Sequence, residues 1–250
     1  MAGLTGGALG TGGPIHATQD ALFGGSVVLF QPQRGAGYRT NVDALLLAGF
    51  ATGAHPASLA FDLGAGVGTV GLALLRLGAA RRIVLVEIDE QPAAMARRNL
   101  DANGWTDRGE VVRADVRDVA RSRRGEASLV VCNPPYVLPG KGQVSAHQSR
   151  ARCGELTTFV RAARQVAGRR ARVCFVYPAH QLWALLSGLA NEGLHAKRIR
   201  FVHGTPESPA RVALVEAVAG RPGGLAVMQP LVEHGPRGYT PEMQALLAQG

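Results

Sequence analysis

The 250-residue sequence predicts an α/β fold: a seven-stranded, mostly parallel sheet whose last two strands form an antiparallel hairpin. Three observations carry this. From Leu59 onward, short β-branched runs alternate with longer stretches of helical period. Hydrophobic residues make up 46% and charged residues 18%, which allows a real core and excludes global disorder. The final two strand-like runs are separated only by residues 203–209, too short a stretch for a crossover helix.

Taken in order, residues 1–18 are a glycine-rich tail expected to be disordered, and residues 19–250 form one domain. Within it, 19–58 form an N-terminal hairpin and helix, 59–218 the core and 219–250 a C-terminal extension. The run 26–31 is strand-like, and Val42, Leu45, Leu46 and Ala48 recur at helical spacing over 41–51. Core strands are expected at 59–63, 82–87, 110–114, 127–132, 171–177, 196–203 and 210–218, with helices at 69–78, 90–103, 155–167 and 179–191. Leu156, Phe159, Val160, Ala163 and Ala167 share one face of the third helix, and Gly168 reads as its stop. Trp183, among Leu182, Leu185, Leu186 and Leu189, reads as helix core. Thr240-Pro241-Glu242 reads as a capped helix start with proline in the first turn.

No stretch approaches the roughly 18–20 apolar residues of a membrane span, and the first residues lack the basic and apolar regions of a signal peptide. The cysteines Cys132, Cys153 and Cys174 are odd in number and widely spaced, which fits a reducing, cytoplasmic setting. Cys132 and Cys174 read as core thiols. His147 and His203 have no metal-ligand partners at suitable spacing, so no metal is expected.

The formal charge is +9, and Lys141 and Lys197 are the only lysines. Part of this arginine excess fits a GC-rich genome, but it is unevenly spread. Between positions 127 and 191, Glu155 is the single acid against Lys141, Arg150, Arg152, Arg161, Arg164, Arg169, Arg170 and Arg172. Such a field steers polyanions, of which nucleic acid is the usual one.

Asp62-Leu63-Gly64-Ala65-Gly66-Val67-Gly68-Thr69 stands where the first core strand becomes a helix. Glycines there let a ligand approach the backbone closely and expose amides at the helix start. GxGxG also occurs in turns that hold no ligand. A dinucleotide site would want glycine where Thr69 stands, and Asp62 suits a cationic amine or sulfonium better than a pyrophosphate. Glu87 ends the next strand, about twenty residues on, where a carboxylate accepts ribose hydroxyls. Asp115 ends the third, where it would accept from an adenine amino group. Three acids at three successive strand ends beside a glycine loop make a coherent nucleoside site. This resembles the Rossmann-like fold of S-adenosylmethionine-dependent methyltransferases over roughly residues 20–230, and so implies that cofactor.

The fourth strand ends Asn133-Pro134-Pro135-Tyr136. Two prolines remove two amide donors and leave carbonyls aimed in set directions. A nitrogen conjugated to a ring is a poor nucleophile because its lone pair is delocalised. The Asn133 oxygen and the Pro134 carbonyl can accept both amino hydrogens and draw the nitrogen toward tetrahedral geometry, while Tyr136 offers a face for a flat base. Methyltransferases acting on adenine, guanine and glutamine nitrogens share this motif.

Further stretches narrow the resemblance. The run from Gln31-Pro32 to Gly37-Tyr38-Arg39-Thr40-Asn41-Val42-Asp43-Ala44 and on to Ala48 is similar to the start of the bacterial tRNA1(Val) adenine exocyclic-amine methyltransferases. Residues 196–216 are similar to that family's final hairpin, and Gly238-Tyr239-Thr240, more loosely, to its end. The resemblance implies that Arg39 meets the cofactor's carboxylate and Asp43 its amine. Where relatives carry Ala-Arg-His-Glu, this chain reads Ala151-Arg152-Cys153-Gly154-Glu155, a departure that bears on substrate choice.

The sequence therefore predicts methylation of an exocyclic adenine amine in tRNA, with Lys141, Arg150 and Arg152 on the substrate phosphates. The rival readings are a release-factor glutamine methyltransferase, a small-molecule methyltransferase and an RNA-binding module that has lost catalysis. Residues 1–58 are too short and glycine-rich for the helical N-terminal domain of the first rival, and the intact motif argues against the last.

Overall fold

The computed structural model describes residues 17–33, 40–134 and 146–248, without the side chains of 146–155. The chain opens with a hairpin, β1 (Ala17–Leu22) against β2 (Val27–Pro32), followed by α1 (Val42–Ala51). Ala17 and Thr18, assigned to the tail by composition, belong to β1; the rest of the tail lies outside the described residues. The alternating core is β3 (Ala60–Leu63), α2 (Thr69–Arg76), β4 (Ile83–Glu87), α3 (Glu90–Ala102), β5 (Gly109–Arg113), α4 (Val116–Ser122) and β6 (Ala127–Cys132). It continues with α5 (Ala146–Val166), β7 (Ala167–Pro178), α6 (Leu182–Asn191), β8 (Leu194–His203) and β9 (Ala210–Ala219). Two-residue strands β10 (Ala226–Val227), β11 (Leu231–Val232), β12 (His234–Gly235) and β13 (Gly238–Tyr239) lead to α7 (Pro241–Ala248).

The sheet runs β5-β4-β3-β6-β7-β9-β8, with β10 and β11 added along the outer side of β8. Among the described residues it thus has nine strands rather than seven. The expected hairpin is present, but β9 does more than close it: it lies antiparallel to both β8 and β7, wedged between them. Every other strand of this sheet shares one direction, so the C-terminal ends of β3, β4, β5, β6, β7 and β8 face one edge.

Runs such as Ile83–Glu87 and Ala127–Cys132 are mostly buried and apolar because helices cover both faces. Alternation along the strands then divides the core. Ala60, Ile83, Leu85, Leu129 and Val131 pack toward α1, α2 and α3, while Phe61, Leu63, Val84, Val86 and Val130 pack toward α4, α5 and α6. Cys132 and Cys174 are fully buried within these layers, as expected of core thiols. Among the described residues, no helix is long and apolar enough to cross a membrane and no metal-binding cluster occurs.

Three local expectations are corrected. Helix α4 is missing from the sequence reading because its amphipathic signal spans only seven residues. Gly168 does not stop α5, which ends at Val166 and passes straight into β7. Gly168 sits in the strand, where a Cβ would come within 3.0 Å of the Gly125 and Ala127 carbonyl oxygens. Trp183 is not core either. Leu185 and Leu189 hold the buried face of α6, and a position two residues from Leu185 lies about 200° around the helix, so Trp183 is 82% exposed.

The hairpin is tied on by two asparagines at the end of α3, Asn99 in its last turn and Asn103 at its C-cap. The Asn103 side chain accepts from Val28 N (2.9 Å) and donates to Val28 O (2.8 Å). Asn99 does the same for Phe30, at 2.6 and 3.0 Å. Spaced one turn apart, the two amides complete the hydrogen bonding of β2 as another strand would.

A second tie joins the C-terminal segment to α1. Arg211, at the start of β9, pairs with Asp43 and with Glu233, each at 2.6 Å, and both carboxylates are buried. Arg211→Met removes the guanidinium that Asp43 and Glu233 share, so we expect a loss of roughly 3–5 kcal/mol, read from denaturant unfolding. A variant as stable as the parent would show that this cluster does not hold the C-terminal segment in place.

Candidate active site

Four strands deliver four polar side chains to one edge: Asp62 from β3, Glu87 from β4, Asp115 after β5 and Asn133 after β6. The turn between β3 and α2 holds Gly64, Gly66 and Gly68 at φ +72°, +56° and +87°, conformations that L side chains rarely adopt. A Cβ on Gly64 would also meet the Phe159 ring at 3.0 Å, whereas the Cβ position of Gly66 faces open space. The turn is held from below. Gly66 N donates to Glu87 Oε2 (2.8 Å), and Asn99 Nδ2 reaches Val67 O (2.9 Å).

These groups wall a cavity of about 620 Å³, within the range of small-molecule sites. Asp62, Gly64, Gly66, Glu87, Asp115 and Asn133 all line it, so the sequence brings these six predicted residues to one place. Asp43 does not line it, because its carboxylate is drawn to Arg211 instead. Pro134 is buried next to Asn133. Arg39, Pro135, Tyr136 and Lys141 lie outside the described residues, as do the side chains of Arg150 and Arg152 on α5.

The carboxylates differ in state. Asp62 is fully buried and pushed up to about 7, chiefly by lost hydration, with Glu87 adding repulsion and the Gly71 amide partly offsetting both. Asp115 is held below the usual carboxylate range by Arg117, whose guanidinium and backbone amide it accepts from while capping α4. Glu87 accepts from Gly66 N and Asp89 N, one amide per oxygen, and each oxygen keeps a free lone pair.

Two buried oxygens on the cavity wall, Thr69 Oγ1 and Asn133 Oδ1, have no hydrogen-bond partner among the described residues. Unmet polar atoms of this kind are costly and mark a place where a ligand supplies the missing bond.

Sequence reasoning missed Thr40, Ile88, Arg117, Thr158 and Phe159, which also line the cavity. The Asp115-Val116-Arg117 capping pattern was a usable signal for Arg117; nothing local marked the α5 pair. The basic window also proves divided. Arg161 pairs with Glu192 and Arg172 with Glu216, while Arg169 and Arg170 are exposed at the start of β7, the edge opposite Asn133.

The strand order, with its single reversed strand, and a strand-end cavity of this make-up define a class I methyltransferase. The methyltransferase small domain model matches residues 41–153. The tRNA1(Val) (adenine(37)-N6)-methyltransferase of Erwinia tasmaniensis is 30% identical, over 65% of this chain and 67% of that protein. Its counterpart from Pectobacterium carotovorum is 32% identical, over 56% of this chain and 58% of that protein. A crystal structure of a predicted O-methyltransferase from Agrobacterium tumefaciens superposes with a TM-score of 0.67 at 26% identity, covering 82% of this chain and 95% of that one. The chain belongs to the tRNA1(Val) (adenine(37)-N6)-methyltransferase family.

Asp62 yields a stability test. Its folded pKa lies above its unfolded value of 3.8, so between the two the folded state binds more protons. Stability contributed by the neutral acid is therefore lost as pH rises from about 4 through about 7. Asp62→Asn should gain melting temperature relative to the parent as pH is raised across that window. Parallel curves for the two proteins would mean that Asp62 ionises normally.

Proposed function

We propose that the protein is an S-adenosylmethionine-dependent enzyme that methylates the exocyclic amine of an adenine in tRNA. The observation that carries this is Asn133 Oδ1, a buried acceptor without a partner among the described residues, on the wall of a cavity rimmed by Asp62, Glu87 and Asp115. The residues fit the cofactor. Glu87 has lone pairs left for ribose hydroxyls, and Ile88, 59% exposed on the cavity wall, offers an apolar surface to an adenine. Asp115 stands beside that surface as a fixed anion, and Asp62 balances a cationic amine or sulfonium at the other end. In this reading Asp43 is an anchor for α1 rather than the partner of the amine. Arg39 is assigned to the cofactor's carboxylate.

When bound, S-adenosylmethionine supplies a methyl group on a sulfonium and leaves as S-adenosylhomocysteine. The chain's own part is to prepare the nucleophile. Asn133 Oδ1 accepts one amino hydrogen of the target adenine and the Pro134 carbonyl the other, which favours a tetrahedral nitrogen with its lone pair free. Pro135 fixes that carbonyl, and Tyr136 stacks on the base. So prepared, the nitrogen would take up the methyl group through that lone pair, and its surplus proton would pass to water. A dedicated base is not required, since the transition state gains mainly from position and preorganised acceptors. Lys141, Arg150 and Arg152 hold the phosphates that flank the target, positioning it without reading sequence.

The direct test is transfer of labelled methyl from S-adenosylmethionine to total tRNA, to release factor and to a small-molecule extract, followed by nucleoside analysis. Label recovered as N6-methyladenosine supports the proposal; label confined to protein or small molecules overturns it.

Two substitutions should separate binding from chemistry. Glu87→Ala should weaken S-adenosylhomocysteine by ~1–3 kcal/mol, the cost of unpaired hydroxyls, as measured by calorimetry. Asn133→Ala should leave that affinity within a few fold yet lower turnover by ~10²–10³, because its bond tightens only as the amine loses planarity. Near-normal turnover in the second variant would remove Asn133 from the reaction.

A further inference from the structure

Trp183 has no role in the site described so far, yet at 82% exposure it leaves a large indole in water. Its place is specific. Strand β7 lies beside β6 in parallel, with Phe175 opposite Cys132, so β7 ends at the same edge as Asn133. One short turn, Ala179–Gln181, leads from that end into α6, whose second residue is Trp183. Helix α6 then runs back along α5: a Cβ on Gly188 would lie 3.8 Å from Val160 Cγ2. Thr158 and Phe159, just before Val160 on α5, wall the cavity. Because both helices run away from the catalytic edge, the first turn of α6 sits on the rim side of that wall.

The surroundings select the occupant. Leu182 and Leu186, which flank Trp183, are partly buried against the core; the outward positions further along α6, Ser187 and Ala190, are small, and the turn before it carries His180 and Gln181. A protein partner would need a contiguous apolar patch, which one indole among small and polar residues does not make. A nucleobase needs only one flat π face. Electrostatics agree: positions 178–191 contain no carboxylate, the adjacent Glu192 is neutralised by Arg161, and the chain carries +9 overall.

We propose that Trp183 is a stacking platform for an unpaired base adjacent to the target nucleotide of an RNA substrate. The proposal rests on the functional reading above and adds the surface that holds the strand once the target base has left its stack. An enzyme that works on a base outside its stack must keep the neighbouring nucleotides from closing the gap, and an aromatic face at the rim does this without reading sequence.

The test uses the full chain and steady-state methylation of tRNA. Trp183→Ala should raise the Michaelis constant for tRNA on the order of 10- to 100-fold, the range for loss of one base–aromatic stack. Trp183→Phe should recover most of it. Melting temperature and S-adenosylhomocysteine affinity should stay at parental values, as the residue is exposed and outside the cavity. In a Trp105→Phe background Trp183 is the only tryptophan, and its fluorescence should be quenched by a single-stranded adenine-containing oligoribonucleotide but not by the same sequence in a duplex. A parental Michaelis constant in Trp183→Ala, or unquenched fluorescence, overturns the proposal, as does a change confined to oligomeric state. If the parent itself methylates no RNA, the functional reading fails first, and that result is visible before any variant is made.

Discussion

One buried amide holds the site's parts in register. Asn99 is fully buried and spends its side chain on three backbone groups: Phe30 N, Phe30 O and Val67 O. The first two belong to the N-terminal hairpin, the third to the glycine turn. An apolar side chain there would strand all three, with Val67 O fully buried and the two Phe30 groups partly so. The glycine turn needs this support at its middle, because Gly66 faces open space while Gly64 and Gly68 pack against Phe159 and Leu85. Held between Asn99 behind and Glu87 below, it becomes a rigid rim.

The same economy governs charge. Asp62 and Asp115 stand at the ends of strands on either side of β4 and line one cavity, but burial raises one carboxyl and a guanidinium lowers the other. One end of the cavity thus presents an acid whose ionisation depends on what binds next to it, and the other a fixed anion. A ligand with a cation at one end and a polar flat ring at the other meets a complementary gradient. A symmetrical dinucleotide pyrophosphate would meet a carboxyl where it needs donors.

How far the sequence discloses this depends on how local each signal is. The strand-end acids and the glycine turn were legible because strand, turn and helix follow one another within a few residues, and each residue's chemistry matches its place. The strand order was legible only in part. A short loop announces a hairpin, but nothing in it says that β9 inserts between β8 and β7. The ion pair of Asp43 was not legible because Arg211 lies 168 residues further along the chain, and a charge takes whichever opposite charge the fold brings near. Trp183 was misread because leucines at 182, 185, 186 and 189 give a helix an apolar face without fixing what lies opposite it. Asn99 and Asn103 carried no signal, since their partners are backbone atoms about seventy residues away.

The inserted strand has a consequence for how the chain is made. Residues leave the ribosome in order, so β3 to β7 can assemble while β9 is still unsynthesised, and β7 then carries a bare edge of unpaired amides and carbonyls. Strand β8, next to emerge, does not cover that edge in the finished sheet; only β9 does. Nascent chains therefore hold an adhesive edge open until position 219 of 250 has been added. Protection of that edge during synthesis falls to the cell rather than to the sequence, and a chain truncated before β9 would retain most of the cofactor-facing residues on a sheet prone to pair with its neighbours.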